Sequence, residues 1–234
     1  MKHYAWIIPI LGLAVLAGCG RLSSGGNGGA ATHTAPRKVV VCVDVSGSYY
    51  ARVKRALEFL AKLFKVNARP GDIWVFRTIT VGSYADEAGV PVYRGRAHVH
   101  LPTVAPAPQN PYNRKGRERH LKELQAFEQT RDAVVQSIQK LKLRIDTDGT
   151  DIYGALRKAA DLKATHIVLF TDLEDTEKRR TNIDLHSATV YVVLLHREKV
   201  EESVKRQEQW KAEFKQMNAG EVVFIDLDHE PPQL

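Results

Sequence analysis

From Lys38 onward the chain alternates between two hydrophobic periods. Lys38 to Val45 is a nearly continuous β-branched run, the pattern of a strand buried on both faces of a parallel sheet. Tyr49 to Val66 then sets Val53, Ala56, Leu57, Leu60, Leu63 and Phe64 at helical spacing, and Arg69-Pro70-Gly71-Asp72 breaks it. Asp72 to Val81 predicts a second strand. Val90 to Leu101, more polar and interrupted by Arg94-Gly95-Arg96, predicts an edge strand or short hairpin. A proline-rich loop, Pro102 to Pro111, precedes a long helix, Gly116 to Leu143, with an apolar stripe of Leu121, Leu124, Phe127, Val134, Ile138 and Leu141. The rest repeats the alternation: helix Ile152 to Lys163, strand Thr165 to Thr171, strand Thr189 to Leu195, helix Val200 to Met217 and strand Glu221 to Asp226. Strands interleaved with helices in this way predict an α/β fold: a doubly wound, mostly parallel six-stranded sheet flanked by helices, with one antiparallel edge strand. Ligands of such sheets bind at the carboxyl ends of the strands.

The N-terminal residues follow neither period. Lys2 and His3 precede an apolar run, Tyr4 to Ala17, too short to span a bilayer core of about 30 Å, and residues 1–18 are expected to form a signal peptide. Leu16-Ala17-Gly18-Cys19 resembles the bacterial lipoprotein signal, which implies a diacylglycerol on the Cys19 thiol and Cys19 as the mature N-terminus. Several acyl chains, at about 0.8 kcal/mol per buried methylene, make a stable anchor where one chain does not. Residues 19–37, with five glycines between Gly20 and Pro36, are expected to be the lipidated cysteine and a flexible tether. Residues 38–228 form the expected domain and 229–234 a C-terminal tail. The expected location is the bacterial cell envelope: the periplasmic face of the outer membrane in a two-membrane cell, since Gly20 rather than Asp after the cysteine resembles the pattern of lipoproteins passed on to that membrane, or otherwise the outer face of the cell membrane.

Composition narrows the class. Charged residues make up 26% of the chain, near the globular average, which excludes a disordered or membrane-embedded body. The formal charge is +7, or +6 once Lys2 leaves with residues 1–18. That balance suits an anionic lipid or polysaccharide surface, or serves solubility alone, and no nucleic-acid partner is expected of an exported protein. The remaining cysteine, Cys42, lies in the first strand and is expected to be a buried free thiol.

Three segments fall where a doubly wound sheet puts a site. Asp44-Val45-Ser46-Gly47-Ser48 ends the first strand, Asp148-Gly149-Thr150-Asp151 opens the helix that follows the long one, and Phe170-Thr171-Asp172 ends a strand. Together they resemble the von Willebrand factor A family and its metal-ion-dependent adhesion site: Asp-x-Ser-x-Ser, then a Thr, then an Asp on a third loop. The resemblance covers residues 38–228. It implies that Ser46 and Ser48 bind a divalent metal directly, Thr150 directly or through water, and that Asp44 and Asp172 hold coordinating waters. The implied ion is Mg²⁺, with Mn²⁺ or Ca²⁺ as alternatives. A first shell rich in neutral hydroxyls leaves the ion positive enough to capture a carboxylate from a partner protein or other acidic ligand. The implied output is binding, with no enzymatic activity; the oligomeric state is left open.

Other readings accompany this one. Ser48 and Thr150 stand where a helix N-cap hydroxyl belongs, Asp151 where an acid favours the helix dipole, and Asp172 where a turn begins. Where the family often has glycine after the third-loop Asp, this chain has Leu173, followed by Glu174, Asp175 and Glu177; that acidic cluster either tunes the metal and its partner or is a solvated turn. Arg94, Arg96, Arg114, Lys115, Arg117 and Arg119 form a basic rim or a plain solvated surface. His98 and His100 would share a strand face without an evident third metal ligand. Competing functions are a structural envelope domain with a vestigial or stabilising metal site, and a metal-dependent or serine hydrolase, for which neither His166 nor His186 sits at a strand end facing Ser46.

Overall fold

The computed structural model describes residues 36–47, 50–145, 148–177, 182–194 and 200–234. The signal segment, Cys19, most of the tether and Ser48 lie outside the described residues. The strands are β1 (Lys38–Asp44), β2 (Ile73–Ile79), β3 (His98–His100), β4 (His166–Phe170), β5 (Thr189–Leu194) and β6 (Val222–Asp226). The helices are α1 (Tyr50–Asn67), α2 (Arg114–Lys140), α3 (Ile152–Asp161) and α4 (Val200–Gln216). The sheet order is β3-β2-β1-β4-β5-β6, with β1 paired in parallel to both β2 and β4, and only β3 antiparallel. The expected architecture is therefore the one observed.

Period-two alternation in buried strands divides the core. Val39, Val41, Val43, Trp74, Phe76, Val168 and Phe170 pack with α1 and α2 on one face. Val40, Cys42, Val75, Ile79, Ile167 and Leu169 pack with α3 and α4 on the other. Cys42 is a buried free thiol, as its place in β1 predicts, and burial pushes it up to about 12, so it is chemically quiet.

Two stretches depart from the pattern. Only His98–His100 of the weak segment is strand; Tyr93-Arg94-Gly95-Arg96 before it is a tight hairpin turn, with Arg94 and Gly95 at φ 50° and 71° and Arg96 N donating to Tyr93 O at 2.9 Å. Its arginines mark the turn. The second departure is Leu121, expected in the core and 62% exposed, whereas Phe127, Val134 and Ile138 are buried as expected. The cause is length: 27 residues of helix span about 40 Å at 1.5 Å each, while the seven-residue β1 spans about 23 Å. The turns before Phe127 reach past the sheet and meet the loop that precedes the helix, at Ala105.

The last residues are tied to the domain. Leu234 N donates to Asn67 Oδ1 at 2.7 Å, and Arg37 donates to Leu234 O, to Asn67 O and to the buried Asp72, 2.6 Å away. This clasp sits at the amino ends of β1 and β2, opposite the edge that carries the candidate site.

Candidate functional site

The strand order reverses between β1 and β4, so the loops after them part and leave a crevice at their carboxyl ends. Asp44 closes β1 at that crevice and is fully buried, Ser46 follows it, and Thr171-Asp172 leave β4 beside it. Asp44 Oδ1 accepts from Ser46 N at 2.9 Å, and Asp44 Oδ2 accepts from the Thr171 hydroxyl at 2.8 Å. Burial pushes the Asp44 carboxyl above its ordinary value; hydrogen bonds from Ser46 and Thr171 oppose the rise, and the nearby Asp172 carboxylate adds to it. A buried acid with a second acid in electrostatic reach is a place where a cation gains. Both described hydrogen bonds to Asp44 come from neutral donors.

The Thr150 loop joins this edge through the loop after β4. Thr150 N donates to the Thr176 hydroxyl at 2.8 Å, and Thr176 N donates back to Thr150 O at 3.0 Å. Asp151 N reaches Thr80 O at 3.0 Å, tying the same loop to the end of β2. Gly149 is required here: its φ is +155°, and a Cβ would lie 2.7 Å from the Thr176 hydroxyl. One expected role moves by a residue. The N-cap of α3 is Asp151, whose Oδ1 accepts from Gly154 N at 2.7 Å, and not Thr150. A carboxylate suits the cap better because it meets both an orphan N–H and the positive end of the helix. Thr150 is buried just before it.

Asp172 has two parts to play. Its Oδ1 accepts from Glu174 N at 3.0 Å, the turn geometry expected of an aspartate there, and its carbonyl accepts from Arg206 at 2.9 Å. Leu173, in the position where glycine is common in the resembling family, adopts φ 63°. A leucine rarely does so, at a cost of about 1–2 kcal/mol. It is held by its buried side chain and by its carbonyl, which accepts from Trp210 Nε1 at 3.1 Å. The acidic cluster is engaged rather than simply solvated. Glu174 pairs with Arg206 at 3.0 Å, and Asp175 Oδ1 accepts from Ile152 N, the first residue of α3, at 2.9 Å.

Thus Asp44, Ser46, Thr150 and Asp172 share one edge. Thr171, Thr176 and Arg206, which organise it, carry no periodic signal in the sequence; for Thr171 the only cue is a hydroxyl ending an apolar strand just before an aspartate. Among the described residues, no three His, Cys, Asp or Glu side chains gather as a metal-holding group. The donor set at the crevice is instead two carboxylates with hydroxyls, all oxygen, which fits a hard divalent ion that keeps its waters. His98 and His100 are both exposed on β3. His166 opens β4 at the far edge of the sheet from Ser46, stacked on Tyr191, and His186 lies in a turn beside Asp184.

No family model matches the sequence, and no curated protein matches it. Among solved structures, one described as von Willebrand factor type A from Catenulispora acidiphila is similar, with 16% sequence identity and a TM-score of 0.39 over 78% of this chain and 43% of that one. The chain therefore spans less than half the length of that protein.

Proposed function

We propose that this chain is a binding module that holds a divalent cation at the carboxyl edge of β1 and β4 and uses it to take a carboxylate from a partner protein or other acidic ligand. Asp44, Ser46, Ser48, Thr150 and Asp172 are the proposed ligand set, with Mg²⁺ as the ion and Mn²⁺ or Ca²⁺ able to replace it. The observation that carries the reading is the junction of three separate loops at one crevice, with buried Asp44 hydrogen-bonded to both Ser46 N and the Thr171 hydroxyl. The bound ion would supply a Lewis-acidic position for the incoming carboxylate. The chain's own part is to hold the hydroxyls still: Thr171 and Ser46 orient Asp44, and Thr176 fixes the backbone of Thr150. An open cavity of about 730 Å³, bordered by Thr80, Val81, Leu143 and Asp148, lies beside the Thr150 loop and gives a partner's flanking residues room. No catalytic role is proposed for any residue. The module would be held to the cell envelope through a lipid on Cys19.

One observation favours a second reading, a structural domain with a vestigial metal site: each Asp44 carboxylate oxygen already has a partner within the protein. Calorimetric titration with magnesium separates the two. The binding reading expects heat of binding in the wild type and none in Asp44→Ala, together with Mg²⁺-dependent capture of envelope proteins. At about one hundred times Kd, the ion would add about 2.7 kcal/mol of stability. Absence of binding heat with an unchanged melting temperature would establish the structural reading.

A further inference from the structure

The helical part of the basic rim, Arg114 to Arg119, starts α2 and lies away from the crevice. The cavity between α1 and α2 is lined by Val53 and Leu57, from the early turns of α1, and by Gln139 and Leu141, from the end of α2. The two helices are therefore antiparallel, and because α1 starts from the site edge, α2 starts at the opposite edge. The loop before α2 agrees: Leu101 N donates to Asp72 O and Gly71 N to Pro102 O, both just before β2 begins. His120 and Glu123 of α2 grip Ala105 of this loop at 2.7 and 2.8 Å. Arg114 to Arg119 lie beyond that grip. Pro36 and Arg37, where the preceding residues join the domain, are at this same edge.

The overhanging turns are unlike the rest of α2. Arg114 to Lys122 holds five cations and one acid. Arg114 pairs with Glu118 and Arg119 with Glu123, but no described acidic side chain pairs with Lys115, Arg117 or Lys122. Among these cations stand two apolar groups turned outward, Tyr112 at 90% exposure and Leu121 at 62%. Helical spacing puts Arg114, Arg117 and Leu121 on one stripe and Lys115 and Lys122 on a second, the two flanking the direction opposite the buried Phe127, Val134 and Ile138. Over the next turns the exposed positions are Gln125, Ala126, Glu128, Gln129 and Asp132, with no cation among them.

We propose that this end of the domain docks on an anionic lipid surface, with Tyr112 and Leu121 entering the headgroup region and Lys115, Arg117 and Lys122 lying over the phosphates. A soluble polyanion would use the cations alone. The exposed tyrosine and leucine between them are what a bilayer interface adds, since aromatic and aliphatic groups gain there while lysine and arginine reach the headgroups. The arrangement turns the metal edge of the sheet away from the membrane.

The test uses the mature chain, from residue 19 onward and made without residues 1–18, carrying Cys19→Ser and kept in chelator, so that neither the apolar leader, acylation nor the metal site affects it. Vesicles of phosphatidylcholine are compared with vesicles that also contain phosphatidylglycerol. An environment-sensitive label is placed at Tyr112→Cys or, at the site edge, at Gly82→Cys; Cys42 is fully buried and escapes labelling. The label at 112 is expected to shift to the blue on phosphatidylglycerol vesicles only, and the label at 82 to stay unchanged on both. Each neutralised cation should lower the partition about five-fold, so Lys115→Gln/Arg117→Gln/Lys122→Gln should lower it roughly one-hundred-fold. The charge-keeping variant Lys115→Arg/Arg117→Lys/Lys122→Arg should bind as the wild type does. The proposal is overturned by a silent label at 112, by equal partition of the neutralised variant, or by tight binding to a polyanionic polysaccharide with no response to the vesicles.

Discussion

Replacing Thr171 with valine removes one hydroxyl and leaves the side chain's shape almost unchanged. Thr171 is fully buried; its Oγ1 donates to Asp44 at 2.8 Å and accepts from Leu173 N at 3.1 Å. A hydrogen bond to a carboxylate is worth about 1.5–3 kcal/mol, and a buried N–H left without its acceptor costs about 1–3 kcal/mol. Together the losses come to about 2.5–6 kcal/mol, against which the added methyl returns about 0.8 kcal/mol. The net expectation is a loss of about 2–5 kcal/mol, or roughly 5–20 °C in melting temperature for a domain of this size. Thr171→Ser keeps both hydrogen bonds and loses only a methyl, about 1 kcal/mol. Urea unfolding of both variants in chelator decides the matter: serine should be the more stable. If valine equals or exceeds serine, packing rather than the hydroxyl holds this corner, and the account of how Asp44 is oriented fails.

Two further outcomes follow from the geometry. Gly149→Ala should cost more than about 1 kcal/mol in urea unfolding and weaken magnesium binding, because the new Cβ meets the Thr176 hydroxyl that holds Thr150; full stability with unchanged affinity would contradict the close approach. Burial first, then the nearby Arg37, holds His166 below its usual 6.5. The unfolded chain therefore takes up protons below about pH 6.5 that the folded chain refuses, so stability present above that pH falls as the pH drops toward the folded value. His166→Phe, which keeps a ring against Tyr191, should lose part of this slope between pH 7 and 5, and an identical slope would rule His166 out as a contributor.

The long-period features of the fold were legible because burial on both faces leaves a continuous trace. Val39 to Val43 and Ile167 to Phe170 read as interior strand through their short length, β-branched or aromatic content and polar flanks, and their order with the helices constrains the sheet. Contacts that depend on a single hydroxyl or carboxylate were not legible. Thr150 and Asp151 are both good cap residues, and although a carboxylate gains more from the helix dipole, the chain's path decides which of them stands at the cap of α3. For the left-handed Leu173 the one cue is that the resembling family often has glycine there; the contact that holds it, from Trp210 of α4, is 37 residues away and leaves no local trace. Leu121 misled for a related reason: an amphipathic stripe says which way a helix faces, not where its partner stops.

The position of β1 has a mechanical consequence. It is the strand at which the chain joins the domain, it is hydrogen-bonded in parallel on both sides, and the candidate site begins at its far end. A pull between the preceding chain and anything gripped at that site would run along the strand and load both ladders in shear, so their bonds must yield together instead of unzipping one by one. The Arg37 clasp, with its ion pair to Asp72, anchors the end where such a pull arrives. The sheet is thus strongest along the line on which a tethered domain would be stretched.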